Sequence, residues 1–311
     1  STFGWERPNW FAPPGYGLST AELAKPDTLL RENHPPAAPG EKVTEKWSFR
    51  RSNYFEFVGN ECRHVHEKVG ILDMSAFSKF MVEGHDSASW LDSLLANRIP
   101  RKIGRIGLCH LLTSLGGVRS EFTVYRLAED RFYLVSAGML ERHDWDYLTK
   151  ALPVDGRVQL RKVTSQYGVL VVAGPNSRSL LQKLTDRDLS NEAFPWLSGQ
   201  PVNIGAADAH AIRVNFVGEL GWELHHPIET QNYIFDRLFE AGEEFDLKPF
   251  GIRAMDSLRL EKSYRLIPRE LSVEYAALES GLERFVSWDK DDFVGKTGLD
   301  AWKQRGFRWQ F

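Results

Sequence analysis

Tyr167-Gly168-Val169-Leu170-Val171-Val172-Ala173 runs directly into Gly174-Pro175-Asn176-Ser177 and then Leu180, Leu181 and Leu184. Seven residues dominated by valine, leucine and alanine read as a buried strand. The Gly-Pro-Asn-Ser tetrapeptide breaks it and opens a helix whose leucines recur at helical spacing. A related pattern stands upstream, where Ser78 to Gly84 alternates as a strand and Asp86 caps a helix carrying Trp90, Leu91, Leu94 and Leu95. Glu61 to Leu72 reads as a helix with Val65, Val69 and Leu72 inward. Cys109 to Ser114 reads as a strand turned by Gly116-Gly117, and Glu121 to Leu127 with Arg131 to Ala137 as a hairpin across Ala128-Glu129-Asp130. Downstream come a strand at Ala211 to Phe216, a tight turn at Gly218 and Gly221, and an amphipathic helix from Glu229 to Phe245. In that helix Tyr233, Ile234, Leu238 and Phe239 face inward, and a last helix spans Gly251 to Tyr264. Strands mixed with helices, without a regular βαβ beat, give the fold class α+β.

Composition narrows the function. The chain has 311 residues, 42% hydrophobic and 26% charged, the balance of a globular protein large enough for one big domain or two ordinary ones. A net charge of −3 supplies no basic field for nucleic acid or an anionic membrane, so neither is expected as a partner. Cys62 and Cys109 are too few for a disulfide framework or a thiolate zinc cluster. No apolar run reaches the roughly 20 residues that span a bilayer. The expected location is cytoplasmic, or the mitochondrial matrix in a eukaryote.

The start is dense in large side chains, from Phe3 through Trp5 and Trp10 to Phe11, and such a segment needs a surface to cover. Pro35, Pro36 and Pro39 then mark a linker. Residues 1–45 are accordingly expected to form an arm, with the globular body after it.

Few motifs carry chemistry on their own. Gly116-Gly117 belongs to a strand connection, and no G-x-G-x-x-G or P-loop pattern occurs, so redox chemistry would fall to another domain. Glu121 heads the apolar strand Phe122-Thr123-Val124-Tyr125 and faces either solvent or a cavity; in a cavity it suits proton transfer on a bound amine. Glu219 and Glu223 flank Trp222 around a turn, and a carboxylate beside an aromatic suits a flat heterocycle rich in N–H donors. The nine histidines lack an H-E-x-x-H or other firm metal spacing, so surface or hydrogen-bonded positions and no metal are expected. Arg253 and Asp256, at i and i+3, either pair along a helix face or offer a guanidinium to a carboxylate-bearing ligand.

Together these stretches resemble a known family. Gly70-Ile71-Leu72-Asp73-Met74-Ser75, Gly116-Gly117-Val118, Glu121 through Leu127, Val172-Ala173-Gly174-Pro175, Val217 through Leu224, Asp256 through Lys262 and Asp292-Phe293-Val294-Gly295 occur in the family's order. The sequence is similar to the folate-binding aminomethyltransferases, the T-protein of the glycine cleavage system and its relatives, and most to the C-terminal half of bacterial dimethylglycine and sarcosine dehydrogenases. The resemblance implies an aminomethyltransferase-like fold with mixed or antiparallel sheets and flanking helices. It implies a body over 46–290, an arm that follows a flavin domain in relatives, and at 291–311 the beginning of a C-terminal β-barrel domain that the chain does not complete.

It also implies a tetrahydrofolate-binding module that captures the carbon released when a flavoprotein partner or FAD domain oxidises a small methylated amine. FAD itself would sit on that separate domain or partner. Alternatives are a non-catalytic folate-binding module and a folate-dependent methyl-transferring demethylase. Glu121 matches the family's catalytic acid, more often Asp, and Glu223 the acid that binds the pterin ring. Met74 and Phe216 fall at pocket-lining positions. Leu108 stands where many relatives have Tyr, Thr113 where they have Asn, and Phe216 itself where Tyr is common. The T-protein helix arginine is replaced by Met255, with Arg253 nearby as the substitute. A cysteine-containing motif of iron–sulfur assembly relatives is absent at Asp292 to Lys296.

Overall fold

The computed structural model describes residues 7–12, 52 and 54–307. In chain order its strands are β1 (Gly70–Asp73), β2 (Ser78–Glu83), β3 (Ile106–Leu112), β4 (Val118–Ala128), β5 (Arg131–Ser136) and β6 (Gln159–Lys162). They continue as β7 (Tyr167–Ala173), β8 (Gly199–Ile204), β9 (Ala207–Ile212), β10 (Gly221–Pro227) and β11 (Lys248–Pro249). The helices are α1 (Phe55–Glu67), α2 (Ser87–Leu94), α3 (Glu141–Lys150), α4 (Ser177–Gln182), α5 (Gln231–Gly242), α6 (Ile252–Glu261) and α7 (Lys296–Arg305).

Two sheets result. One has six strands in the order β11-β1-β7-β10-β9-β8, antiparallel except for the edge pair β1–β11; the other has five, β3-β4-β5-β2-β6, all antiparallel. The fold is α+β. Alternation along each strand sorts side chains into layers. On the six-stranded sheet Ile71, Leu170, Val172, Trp222 and Leu224 point outward to Leu180 and Leu181 of α4 and to Ile234 and Leu238 of α5. On the five-stranded sheet Phe80, Val82, Cys109, Phe122 and Leu134 point outward to Trp90 and Leu91 of α2 and Leu148 of α3.

The opposite faces look at each other. Met81, Tyr125, Tyr133 and Val135 of the five-stranded sheet share a buried cluster with Ile212 of β9. Beside it, Leu72, Val169, Val171 and Ala173 carry Cys62 and Val65 of α1 and Ala254, Met255 and Leu258 of α6. Strand β7 is therefore covered on both faces, which is why its sequence is an unbroken apolar run rather than an alternating one.

Several boundaries differ from expectation for local reasons. The helix read over Glu61 to Leu72 is α1 at Phe55–Glu67, and Gly70 to Asp73 is strand. Gly70 marks the change: a Cβ there would stand 2.6 Å from Phe250 and 2.7 Å from Val65, so only glycine lets the chain turn from helix into sheet. The strand read at Ala211 to Phe216 is β9 at Ala207–Ile212. It stops short because Asn215 folds the next residues into a turn, its Oδ1 accepting from the N–H of Val217 and Gly218 and its Nδ2 donating to the Glu219 carbonyl, each at 3.0 Å. The long helix at 229–245 is α5 with short 3-10 turns on both sides. Ile234 and Leu238 face inward as read, whereas Tyr233 is exposed and its hydroxyl accepts from the Ala206 N–H at 3.0 Å. Asp86 stands at the start of α2 without a side-chain cap, because its carboxylate is engaged by His85 and Arg157.

Of the aromatic start and the arm expected over 1–45, residues 7–12 are described, and these lie against the body; the rest of the arm, with Phe3, Trp5 and the proline linker, lies outside the described residues. Trp10 is buried, stacked on Phe57 at 5.1 Å, and the carbonyls of Pro8 and Asn9 accept from Ile252 and Arg253 at the head of α6. Glu61 of α1 accepts from the N–H of both Phe11 and Gly251. At the other end, Phe293 and Leu299 join Leu112, Val118 and Leu278 in one buried cluster, so residues 291–307 pack on the end of the β3–β4 hairpin.

Candidate active site

Strand β10 places the central group. Its residues alternate across the six-stranded sheet, so Trp222 and Leu224 point out toward α4 and α5 while Glu223 and His225 point inward. Trp222 is fully buried against Phe194, on the face opposite Glu223. The expected pairing of Glu223 with a neighbouring indole is therefore wrong, because adjacent residues of a strand cannot share a face. The aromatics that share the crevice with Glu223 are Phe77 and Phe216, the latter delivered by the Asn215 turn.

Glu223 opens into a narrow crevice walled by Leu72, Met74, Phe77, Val171, Phe216, Val217 and Met255. Among the described residues, every side chain lining it except the carboxyl is apolar. Burial pushes the Glu223 carboxyl up to about 8. Its Oε2 lies 3.2 Å from Nε2 of His225, whose Nδ1 lies 3.1 Å from the Tyr133 hydroxyl on the facing sheet. Burial, with the charge of Lys79 second, pushes His225 down to about 3, so the ring is neutral. Lys79 of β2 is itself fully buried, donating to the carbonyls of Ser75 at 2.8 Å and Thr164 at 3.0 Å, and burial lowers it to about 8.

Met74, Phe216 and Glu223 thus meet in one crevice, together with Met255. Glu121 and Leu108 lie on the five-stranded sheet and do not line it. Glu121 stands opposite His110 in the β3–β4 register, with Oε2 at 2.9 Å from the buried His110 Nε2, and its side chain keeps about a quarter of its surface open. Leu108 points to the same face two residues from His110, and its carbonyl accepts from Asn97. The Thr113 hydroxyl accepts from the Gly117 N–H at 3.0 Å and so serves the hairpin turn.

Arg253 turns away from the crevice: it donates to the Tyr54 hydroxyl at 2.7 Å and lies 4.0 Å over that ring. Its expected i,i+3 pairing with Asp256 gives way to another. Asp256 is bound by Arg259 and Arg269, and the buried Arg259 also makes a two-point contact with Glu270 at 2.7 and 3.1 Å. Glu219 lies in a surface group with His66 and Lys262.

Residues 1–290 match the GCVT N-terminal domain. The chain belongs to the GCVT family. Among its relatives, dimethylglycine dehydrogenase, mitochondrial, of Mus musculus is 39% identical over 98% of this chain, which spans about a third (32%) of that protein's length. The aminomethyltransferase of Thermoanaerobacter sp. (strain X514) is 31% identical over 82% of this chain and 69% of its own. The crystal structure of glycine cleavage system aminomethyltransferase T from Bartonella henselae superposes with a TM-score of 0.72 at 24% identity, over 82% of this chain and 68% of that one, and shares the fold. This GCVT module is aminomethyltransferase-like and related to the dimethylglycine and sarcosine dehydrogenases. No helix among its described residues is long and apolar enough to cross a membrane.

Two of the buried polar groups in the GCVT module, Lys79 and His225, were not picked out by sequence reasoning. The signal was available: each sits at an inward register position of a strand, Lys79 two residues before Met81 and His225 two after Glu223, where a polar side chain has to find a partner.

Proposed function

We propose that this chain binds tetrahydrofolate with the pterin ring against Glu223, and that it captures the carbon released by oxidative N-demethylation of a small methylated amine of the dimethylglycine or sarcosine type. The observation that carries this reading is the Glu223 carboxyl: buried, facing a neutral imidazole rather than a cation, and the one polar side chain among the described residues that line the crevice. A carboxyl in that setting is short of hydrogen-bond donors, and a flat ring with adjacent N–H groups supplies them in the plane a carboxylate prefers. Met74, Met255 and Phe216 suit the faces of such a ring. The two methionines are unbranched and re-pack readily, which lets a narrow crevice admit it.

When bound, tetrahydrofolate supplies the two nitrogens that receive the carbon as a methylene bridge. Glu121 is the residue to which we assign the proton lost as nitrogen becomes bonded to carbon, with His110 orienting its carboxylate. Oxidation of the amine belongs to a flavin domain or flavoprotein partner, in keeping with the missing dinucleotide fingerprint and with a relative named as a dehydrogenase. In a eukaryote that relative's name favours the mitochondrial matrix, and in a bacterium the cytoplasm.

Anaerobic calorimetric titration of the chain with tetrahydrofolate tests the reading. Saturable micromolar binding is expected, tightening as pH rises toward about 8 because the carboxyl must lose its proton to accept from the ring. A titration without saturable heat at any pH between 6 and 9 would remove it.

A further inference from the structure

Glu223, His225 and Tyr133 form a line of polar groups between the two sheets that the apolar crevice does not itself require. Glu223 and His225 are two residues apart on β10 and both point inward; Tyr133 comes from β5 of the facing sheet. The contacts run 3.2 Å from Glu223 Oε2 to His225 Nε2 and 3.1 Å from His225 Nδ1 to the Tyr133 oxygen, with the Tyr133 and His225 rings perpendicular at 5.4 Å between centroids. All three side chains are buried. Apolar residues would fill the same space without desolvation cost, so the polar line calls for a role.

We propose that His225, its ring fixed by Tyr133, is a positioning residue for Glu223: it directs Oε2 and sets the pH at which the crevice carboxyl ionises. The inference rests on Glu223 as the ring-binding acid. A neutral imidazole carries one N–H. With the Tyr133 hydroxyl donating to Nδ1, that hydrogen sits on Nε2 and points at Glu223. Donation to a carboxylate favours its charged form and so opposes the burial that disfavours it. It also holds Oε2 in place and leaves Oε1 for the ligand.

The other titratable groups around the ring belong to β2, β7, β9 and β10. Lys79 adds positive charge from β2. His210 faces His225 in the β9–β10 register, hydrogen-bonds Tyr125 at 3.5 Å, and is lowered by burial first. Tyr167 lies edge-on to Tyr133 at 5.8 Å, and His226, next in the chain, is also lowered chiefly by burial. Burial disfavours the charged form of all three histidines, which leaves the Lys79 charge near the ring and the Nε2–H bond as the side-chain hydrogen bond directed at Glu223.

The test is a carbon-13 NMR titration of the ligand-free full chain labelled at glutamate side-chain carboxyls, with the Glu223 signal assigned by its loss in Glu223→Gln. Wild type is expected to titrate near 8. His225→Phe raises the midpoint by about one pH unit, the usual scale for losing a hydrogen bond to a carboxylate. Tyr133→Phe moves it the same way by less. His225→Gln, whose amide can donate to Glu223 and accept from Tyr133, brings it back. A merely structural role would lower stability without moving the midpoint. Should His225→Phe not fold, Tyr133→Phe alone decides. A midpoint unchanged in the folded variants overturns the proposal, whatever tetrahydrofolate does. A shifted midpoint in a protein that binds no tetrahydrofolate would instead retain the role of His225 and remove the folate reading.

Discussion

A carboxyl and an imidazole buried side by side pull stability in opposite directions as pH changes, and the pair in this crevice makes the balance measurable. Folded Glu223 titrates near 8 against 4.5 for a free glutamate, so the native state holds a proton that the unfolded chain has released. Its contribution is complete below about pH 4.5 and is lost as pH rises to about 8. His225 titrates near 3 against 6.5, so its contribution is complete above about 6.5 and is lost as pH falls toward 3. The two effects oppose each other between 4.5 and 6.5. Above 6.5 only the Glu223 loss remains, on the order of 2 kcal/mol by pH 8 at about 1.4 kcal/mol per pH unit. Denaturant unfolding at pH 6.5 and pH 8 should show a drop in wild type that is absent in Glu223→Gln, where Lys79, lowered to about 8 by burial, tilts the profile slightly upward; equal drops in both would contradict the assignment. At this scale the sequence told only part of the site. Glu223, Met74 and Phe216 could be placed through the motifs around them. Trp222 was put on the wrong side because a motif read as a string ignores the two-residue period of a strand, and Arg253 because its partner, Tyr54, lies 199 residues away in the chain.

Elements were legible where the pattern was local and obscured where a tertiary contact set the boundary. Strands β2, β5 and β7 and the hairpin turn at 128–131 follow from alternation and turn residues alone. The end of α1 does not, since Val65, Val69 and Leu72 keep helical spacing across a chain reversal that only the packing of Gly70 against Phe250 reveals. Helix α6 gives a second case. Its charges leave open a paired helix face or a guanidinium for a ligand; in the fold Arg259 is buried and clamps Glu270, whose Oε2 also accepts from the Leu266 N–H at 2.8 Å. The clamp fixes the segment after α6 that runs toward Leu271 and the hairpin end. Arg259→Ala leaves Glu270 and Asp256 without that cation and is expected to cost about 3–5 kcal/mol, read as a lower denaturation midpoint together with faster proteolysis within 264–272. A loss below about 1 kcal/mol would mean the clamp is no more than a surface ion pair.

Across the whole molecule, two helix-backed sheets bring their inner faces together, with the crevice where the α1–α6 cluster meets the inter-sheet cluster. Residues 7–12 belong to this plan: Trp10 covers α1, and the backbone of Pro8 and Asn9 ties the head of α6, the helix that carries Met255 into the crevice. Trp10→Ala should therefore cost about 3 kcal/mol in unfolding and loosen ligand binding as well, whereas an arm independent of the body would alter neither. The α+β class and the family order of motifs could be read from the sequence, but the facing of the sheets could not, since it depends on which strand faces are left after the helices have covered theirs. The central claim is that Glu223, rather than the neighbouring acids, receives the pterin. Its most direct test is anaerobic titration of tetrahydrofolate into wild type, Glu223→Ala and Glu219→Ala side by side. The account predicts a loss of about 10- to 100-fold for Glu223→Ala, the scale of a hydrogen-bonded charge, and near wild-type affinity for Glu219→Ala; equal affinity in all three would contradict it.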